Sequence, residues 1–262
     1  MNQYGFLVCV LHGYCMWPNS LTFCLIITFS VATYGQQTMV FSTVKDTLVA
    51  DINEIIIRDA YQKLGIQVFI KKLPAARALQ KSNSGEFDGE LFRIPGIQKK
   101  YPNLFMIPVV SYEVDIRAYS KRSDFKVVGW NSLKLFKIGI ERGVQFSEVA
   151  TDGMNRQIVN SNQQLFRILD KDRVDFVVTD IWSALGSLTE LERTGFPINE
   201  IFVLSPRVMA IELHHYLHMK HEALIPKVNQ AIQESLRSGI AKQAEDKIRK
   251  QYVLKEDKYE QF

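Results

Sequence analysis

Residues 174–180 read VDFVVTD, a nearly continuous apolar run that ends at Asp180. Such a run is typical of a strand that is buried on both faces, as the strands of a parallel sheet are. Trp182, Leu185 and Leu188 follow at helical spacing. A buried strand followed by an amphipathic helix predicts one unit of an α/β fold, in which helices cover a parallel sheet.

Strand and helix patterns alternate on both sides of this stretch. The segments that read as strands are 38–44, 66–70, 87–92, 137–140, 157–159, 174–179, 201–204 and 212–219. The segments that read as helices are 51–64, 74–79, 146–154, 163–169, 182–188, 225–236 and a last basic stretch that ends near Tyr252. The alternation predicts two α/β halves, each with a mainly parallel sheet.

Two such halves create a cleft between them. In open α/β sheets, ligands bind beyond the carboxyl ends of the strands. We therefore expect the loops after residues 44, 92, 140 and 179 to form a binding site.

The first 37 residues contain no Lys, Arg, Asp or Glu, and residues 21–32 form an apolar run of 12 residues. This run is shorter than the ~20 residues that a membrane-spanning helix needs, and it suits the core of a signal peptide. Small residues before Gln36 predict cleavage there, so we expect residues 1–36 to be a signal peptide and the protein to be periplasmic. The missing basic start leaves other readings open: a true start at Met16, an uncleaved apolar anchor, or a buried N-terminal helix.

Composition excludes several kinds of site. All three cysteines (Cys9, Cys15 and Cys24) lie in the predicted leader, so the mature chain has no disulfide, no thiolate nucleophile and no Cys-ligated metal. The net charge is +4, from 32 basic and 28 acidic residues that are well mixed, and this does not indicate nucleic-acid binding. We expect no cofactor, no nucleic-acid partner and a monomer.

Three motifs together resemble a known family. Residues 85–89 (GEFDG) resemble a "G-x-x-D-A/G" strand start, and residues 172–180 (DRVDFVVTD) resemble "G-R-V-D-A-V-V-x-D". Residues 227–232 (KVNQAI), followed by Ser238-Gly239 and by residues 248–250 (IRK), resemble "K-x-N-x-A-L … G … I-x-x-K". In this order and spacing the chain resembles the extracellular solute-binding proteins of family 3.

The resemblance implies the type II periplasmic-binding fold, with two lobes joined by two crossing strands. The first lobe would comprise residues 37–118 and 210–262, and the second lobe residues 119–209. The crossing strands would be 116–121 and 208–213. The implied function is the binding of a small polar solute, such as an amino acid, for delivery to an ABC permease, without enzymatic activity.

The same resemblance suggests the residues that bind the ligand. Asp180 would hold the ligand's ammonium group, although an N-cap of the following helix is an alternative role. Arg93 follows a predicted strand and is a candidate for bidentate binding of a carboxylate, or else an exposed surface residue. The family's usual carboxylate-binding Arg, in "T-x-E-R", is missing where this chain reads GIQKK at residues 96–100, which puts an α-amino-acid ligand in doubt.

Further candidates are less specific. Arg142 and Gly143 lie between a strand and a helix, where backbone N–H groups can hold an anion. Ser42 and Tyr112 are possible wall residues of the cleft, and ordinary loop or core positions are the alternative. His214, His215, His218 and His221 suggest zinc if they lie on a helix, but the alternation around them favours a strand, which places them on both faces.

Two other functions remain open at this point. An enzyme on the same scaffold, similar to dehydratases, would need a cleft carboxylate with a raised pKa, for which Glu90, Glu113 and Glu141 are the candidates. A sensory module would instead report its ligand to a separate membrane receptor. Fold resemblance alone does not decide between them.

Overall fold

The computed structural model describes residues 37–197 and 200–252. The predicted signal peptide lies outside these residues. Within them, no helix is both long enough and apolar enough to cross a membrane.

Nine strands and seven α-helices make up the described chain. The strands are β1 (Thr38–Val44), β2 (Gln67–Leu73), β3 (Gly89–Arg93), β4 (Leu104–Ser120), β5 (Ile138–Glu141), β6 (Arg156–Val159), β7 (Phe176–Asp180), β8 (Phe202–Val203) and β9 (Met209–His218). The helices are α1 (Leu48–Lys63), α2 (Ala75–Asn83), α3 (Gln145–Ala150), α4 (Asn162–Asp170), α5 (Ile181–Arg193), α6 (Ile225–Arg237) and α7 (Ile240–Gln251).

The strands follow the order β2-β1-β3-β9-β4-β7-β5-β6, and β8 pairs with β4. In the first lobe β1 pairs in parallel with β2 and β3, and in the second lobe β5 pairs in parallel with β6 and β7. The antiparallel strands β4 and β9 lie between these two groups. The predicted two-lobed α/β fold is therefore confirmed.

Strand β4 is much longer than the sequence pattern indicated. Its 17 residues pair with β9 from Leu104 to Ile116 and with β7 from Ile116 to Tyr119. Strand β4 thus pairs with strands of both lobes, whereas the family resemblance implied a crossing strand of residues 116–121 only. The exact lobe boundaries stay a prediction.

Several helix ends differ from the predicted ones: α2 extends to Asn83 and α5 to Arg193, beyond the predicted ends at 79 and 188. Helix α1 begins at Leu48, three residues before the predicted start at 51, and Asp51 lies in its first turn. The Asp51 carboxylate accepts a hydrogen bond from Lys72 Nζ at 2.5 Å, so it is engaged with β2. Helix α3 ends at Ala150, short of the predicted 154, because Gly153 with φ +72° belongs to a turn.

Gly89 permits the close approach of β3 to β9. A Cβ atom on Gly89 would lie 2.1 Å from the carbonyl oxygen of Tyr216 and 3.0 Å from the Cα atom of Leu217. Both are backbone atoms, so the clash has no relief by rotation of a side chain. Packing therefore requires glycine at position 89, the second glycine of the GEFDG motif.

We predict that Gly89→Ala lowers the free energy of unfolding by about 3 kcal/mol, the upper end of the cost of overpacking. Gly186→Ala is the matched control, because it lies inside α5 and its Cβ would approach only Leu48 Cδ1, at 3.8 Å. A helix-interior alanine should stabilise by roughly 0.5–1 kcal/mol. Urea unfolding measures both variants, and equal effects would contradict the packing argument.

Candidate ligand-binding site

The carboxyl ends of the strands in the two lobes face each other. Strand β9 is antiparallel to both β3 and β4, so β4 runs in the direction of β3. Strand β7 is antiparallel to β4 and therefore points back toward the first lobe. The segments after β1 and β7 line one crevice, and those after β3 and β5 line another. A single binding site formed by all four loops remains a prediction.

One crevice between the lobes is polar. Its volume is about 480 Å³, and we call it the polar crevice. Asp46, Thr47 and Lys72 line it from the first lobe. Asn162, Trp182 and Ser183 line it from the second lobe.

A second crevice is mainly apolar. Ile94 and Pro95, just after β3, face Gln145 and Phe146 of α3 across a volume of about 550 Å³, and we call this the apolar crevice. Glu113 of β4, with Met209 and Glu212 of β9, also lines it. It continues outward into a groove of about 830 Å³ that Trp130, Lys99 and Lys100 help to line.

Strand β4 separates the two crevices. Successive side chains of a strand point to opposite faces. Tyr112 accordingly contacts Trp182, which lines the polar crevice, while Glu113 lines the apolar crevice.

Asp180 ends β7 and caps helix α5. Its Oδ1 atom accepts hydrogen bonds from the backbone N–H groups of Trp182 at 3.0 Å and Ser183 at 2.9 Å. Burial raises the pKa of Asp180, although these hydrogen bonds oppose the rise. The capping role is therefore present, and contact with a ligand remains a prediction.

Glu141 ends the neighbouring strand β5, close enough to Asp180 for the charge of Asp180 to affect its pKa. Its Oε2 atom accepts a hydrogen bond from Asn162 Nδ2 at 2.5 Å, and Asn162 Oδ1 accepts one from Thr179 Oγ1 at 2.5 Å. Burial, and next the negative charge of Asp180, raises the pKa of Glu141. A positive group near this pair would be stabilised by both carboxylates.

Sequence reasoning had offered Glu141 only as a possible catalytic acid and did not pair it with Asp180. The parallel pairing of β5 with β7 brings the two strand ends together. The sequence does place each of these carboxylates at the end of an apolar strand. It does not contain the strand order, which is needed to predict that the two strands are neighbours.

Ser42 and Arg93 meet in the interior of the first lobe. Ser42 is fully buried, and its Oγ atom donates to Glu90 Oε2 at 2.5 Å and lies 2.6 Å from Ser82 Oγ. Arg93 forms an ion pair with Glu90, and its side chain is 12% exposed. The buried carboxylate of Glu90 thus engages both predicted ligand contacts.

Two donors of the predicted anion site at Arg142 and Gly143 have side-chain partners within the second lobe. The Gly143 N–H donates to Glu148 Oε1 at 2.8 Å, and Arg142 Nε donates to Asn160 Oδ1 at 3.1 Å. Both residues are exposed. These hydrogen bonds to Glu148 and Asn160 stabilise the loop within the second lobe.

Tyr112 connects the two lobes. Its hydroxyl accepts a hydrogen bond from Trp182 Nε1 at 2.8 Å and donates one to Glu245 Oε1 at 2.8 Å. The Arg249 guanidinium lies 4.8 Å from the centre of the Trp182 ring. Helix α5 of the second lobe is thereby joined to helix α7 through β4, a contact that sequence reasoning missed.

The four histidines have separate structural partners. His214 Nδ1 lies 3.0 Å from the carbonyl oxygen of Ile107, and His215 Nε2 lies 2.9 Å from the Tyr61 hydroxyl. His218 accepts the N–H of Lys220, and His221 contacts the Asp88 carboxylate at 2.7 Å. Among residues 37–197 and 200–252, no three His, Cys, Asp or Glu side chains come together as a metal site.

Comparisons with known proteins support the fold. No family model matches the chain. A protein of Shewanella oneidensis, described as uncharacterized, is 25% identical over 193 residues, which cover 71% of this chain and 72% of that protein.

Three solved structures share the architecture. An ancestral arginine-binding protein bound to glutamine has a TM-score of 0.55 at 19% identity, covering 82% of this chain and 97% of that one. An amino acid ABC transporter substrate-binding protein from Streptococcus pneumoniae, bound to L-arginine, has a TM-score of 0.58 at 14% identity, with coverage of 83% and 97%. A histidine kinase sensor domain similar to periplasmic binding proteins gives the same four values. At these identities the likeness shows the fold.

We predict that Tyr112→Phe lowers the free energy of unfolding by about 1–3 kcal/mol, because the buried indole N–H of Trp182 loses its acceptor. Tyr101→Phe, on a half-buried tyrosine of the first lobe, is the control and should change stability by less than about 0.5 kcal/mol. Urea unfolding followed by tryptophan fluorescence provides the measurement. Indistinguishable variants would show that the Tyr112 hydroxyl contributes nothing.

The buried Glu90 also predicts a pH dependence. Burial raises its pKa from 4.5 to about 7, although the Arg93 charge and the Ser42 hydrogen bond oppose the rise. Because the folded state holds this proton more tightly than the unfolded chain, the stabilising contribution is full below pH 4.5 and is lost as the pH rises through about 7.

Thermal unfolding at pH 5 and pH 8 tests this against Glu90→Gln, which cannot titrate. We expect the melting temperature of the natural protein, relative to the variant, to fall between the two pH values. His215, whose pKa burial lowers to about 4, acts in the opposite direction but is common to both proteins. A melting-temperature difference between the two proteins that is the same at both pH values would contradict the raised pKa of Glu90.

Proposed function

We propose that this protein binds a small polar solute, such as an amino acid or a related compound, between its two lobes. The observation that carries the proposal is the pair of carboxylates, Glu141 and Asp180, at adjacent strand ends that face the first lobe. Burial and the charge of Asp180 both raise the pKa of Glu141, and a carboxyl with a pKa perturbed in this way is typical of functional sites. A ligand ammonium group would relieve their repulsion.

Delivery of the solute to an ABC permease is part of the proposal. The similar structures include a substrate-binding protein of an amino acid ABC transporter and an arginine-binding protein, which supports this role. Such a role requires export, in agreement with the uncharged, apolar N-terminal stretch of the sequence. We therefore propose a periplasmic location.

The central test is Asp180→Asn. A thermal-shift screen of amino acids, polyamines and small carboxylates first identifies a ligand, because a ligand of the folded state raises the melting temperature. Asparagine retains the N-cap but removes the charge. We expect binding of a cationic ligand to weaken by about 100-fold, close to 3 kcal/mol.

Ser161→Ala is the control for this experiment. Ser161 caps α4 by accepting the N–H of Gln164, so its loss costs helix stability but removes no charge. Calorimetry should find unchanged affinity in the control. Unchanged affinity in Asp180→Asn would remove the carboxylate pair from the site.

A sensory role is the second candidate, because a histidine kinase sensor domain shares the architecture to the same degree. Uptake of the labelled solute in cells that lack the protein separates the two functions. Lost uptake supports delivery to a permease, whereas normal uptake with a lost transcriptional response supports sensing. Turnover of the ligand by purified protein would instead support the enzyme hypothesis.

A further inference from the structure

The apolar crevice has walls from both lobes. Ile94, which is 44% exposed, and Pro95 form the wall of the first lobe. Phe146 of α3 forms the wall of the second lobe, and Met209 lies between them. Trp130 Nε1 lies 3.4 Å from Met209 Sδ, so the apolar surface continues into the outer groove. These side chains favour a ligand with an apolar body.

The floor of the crevice carries two like charges. Glu113 of β4 and Glu212 of β9 are direct partners in the antiparallel register. Like charges opposite each other destabilise a strand pair. Arg207 compensates the charge of Glu113 but not that of Glu212, because it forms ion pairs with Glu113 and Asp115. The crevice thus offers an exposed Glu212 carboxylate to a cation.

Two of the groups that the sequence suggested for binding a carboxylate each have an acidic partner in the described structure. Arg93 pairs with the buried Glu90, and the Gly143 N–H donates to Glu148. Lys99 and Lys100 are exposed and line only the outer groove, whereas Glu113 and Glu212 are the charged residues that line the crevice itself. The charge at the floor is therefore complementary to an ammonium group.

We infer that the solute of this cleft is an amine with an apolar body, which binds without recognition of a carboxylate. The ammonium group contacts Glu212 and Glu113, and the apolar body lies between Ile94 and Phe146. This inference rests on the proposed function, since it assumes that the solute binds between the lobes. It differs from the proposed function in the residues that bind the ammonium group, which are Glu212 and Glu113 instead of Glu141 and Asp180.

Three compounds with one phenylethyl body test the inference by calorimetry at pH 7. They are 2-phenylethylamine, L-phenylalanine and 3-phenylpropanoate, which carry the ammonium group alone, both charges, and the carboxylate alone. We expect the amine to bind at least 10-fold more tightly than phenylalanine, and the propanoate to be weakest. Tighter binding of either carboxylate compound overturns the inference.

Variants then locate the binding site. Glu212→Gln and Phe146→Gln should each weaken binding of the amine by at least 10-fold. The matched controls are Glu222→Gln and Phe69→Gln, which alter an exposed acid and an exposed aromatic outside the crevice and should leave affinity unchanged. Unchanged affinity in Glu212→Gln overturns the inference.

The two proposals fail in different ways. If a polar amino acid binds, and Asp180→Asn abolishes its binding while Glu212→Gln does not, the proposed function stands and this inference is wrong. If no solute in the screen and none of the three compounds binds, both are wrong. If the amine binds and Glu212→Gln releases it, the inference is supported.

Discussion

The antiparallel pairing of β4 with β9 is the constraint on which the rest of the structure depends. It extends from Leu104 opposite His218 to Ile116 opposite Met209, and Ile116 also pairs with Asp180. Removing this pairing would separate the parallel strands of one lobe from those of the other. The β4–β9 pairing places Glu113 opposite Glu212, and the β4–β7 pairing places Asp180 opposite Ile116. The register of β4 with its two neighbouring strands therefore determines the positions of Asp180 and of the Glu113–Glu212 pair.

Buried charge explains why some candidate ligand residues have structural roles. Glu90 is fully buried, and a buried carboxylate without partners is very costly. Ser42 and Arg93 supply those partners, so their polar groups are directed at Glu90 and not at a solute. Removing either partner leaves the carboxylate poorly compensated, which is more costly than replacing the whole group.

The sequence predicted the local elements well because apolar periodicity and caps are local. Strand 38–44 was predicted to the residue, and the helix predicted at 163–169 is α4, which Ser161 caps. The length of β4 and the partners of Ser42 were not predictable in this way. Both depend on contacts between distant residues, such as Glu90, which lies 48 residues from Ser42. The Glu141–Asp180 pair likewise needed the strand order, which no local pattern contains.

Movement of one lobe against the other is opposed more strongly on one face of β4 and β9 than on the other face. On one face Trp182 is 1% exposed, with its N–H bonded to Tyr112 and its ring against Arg249. Opening the lobes there would expose an aromatic side chain that buries about 150–250 Å² and would break a buried hydrogen bond. On the other face the walls at Ile94 and Phe146 have a crevice between them. Closure about a hinge is a known motion of such lobes, and here it costs least where it narrows the apolar crevice while Tyr112 and Trp182 stay in contact.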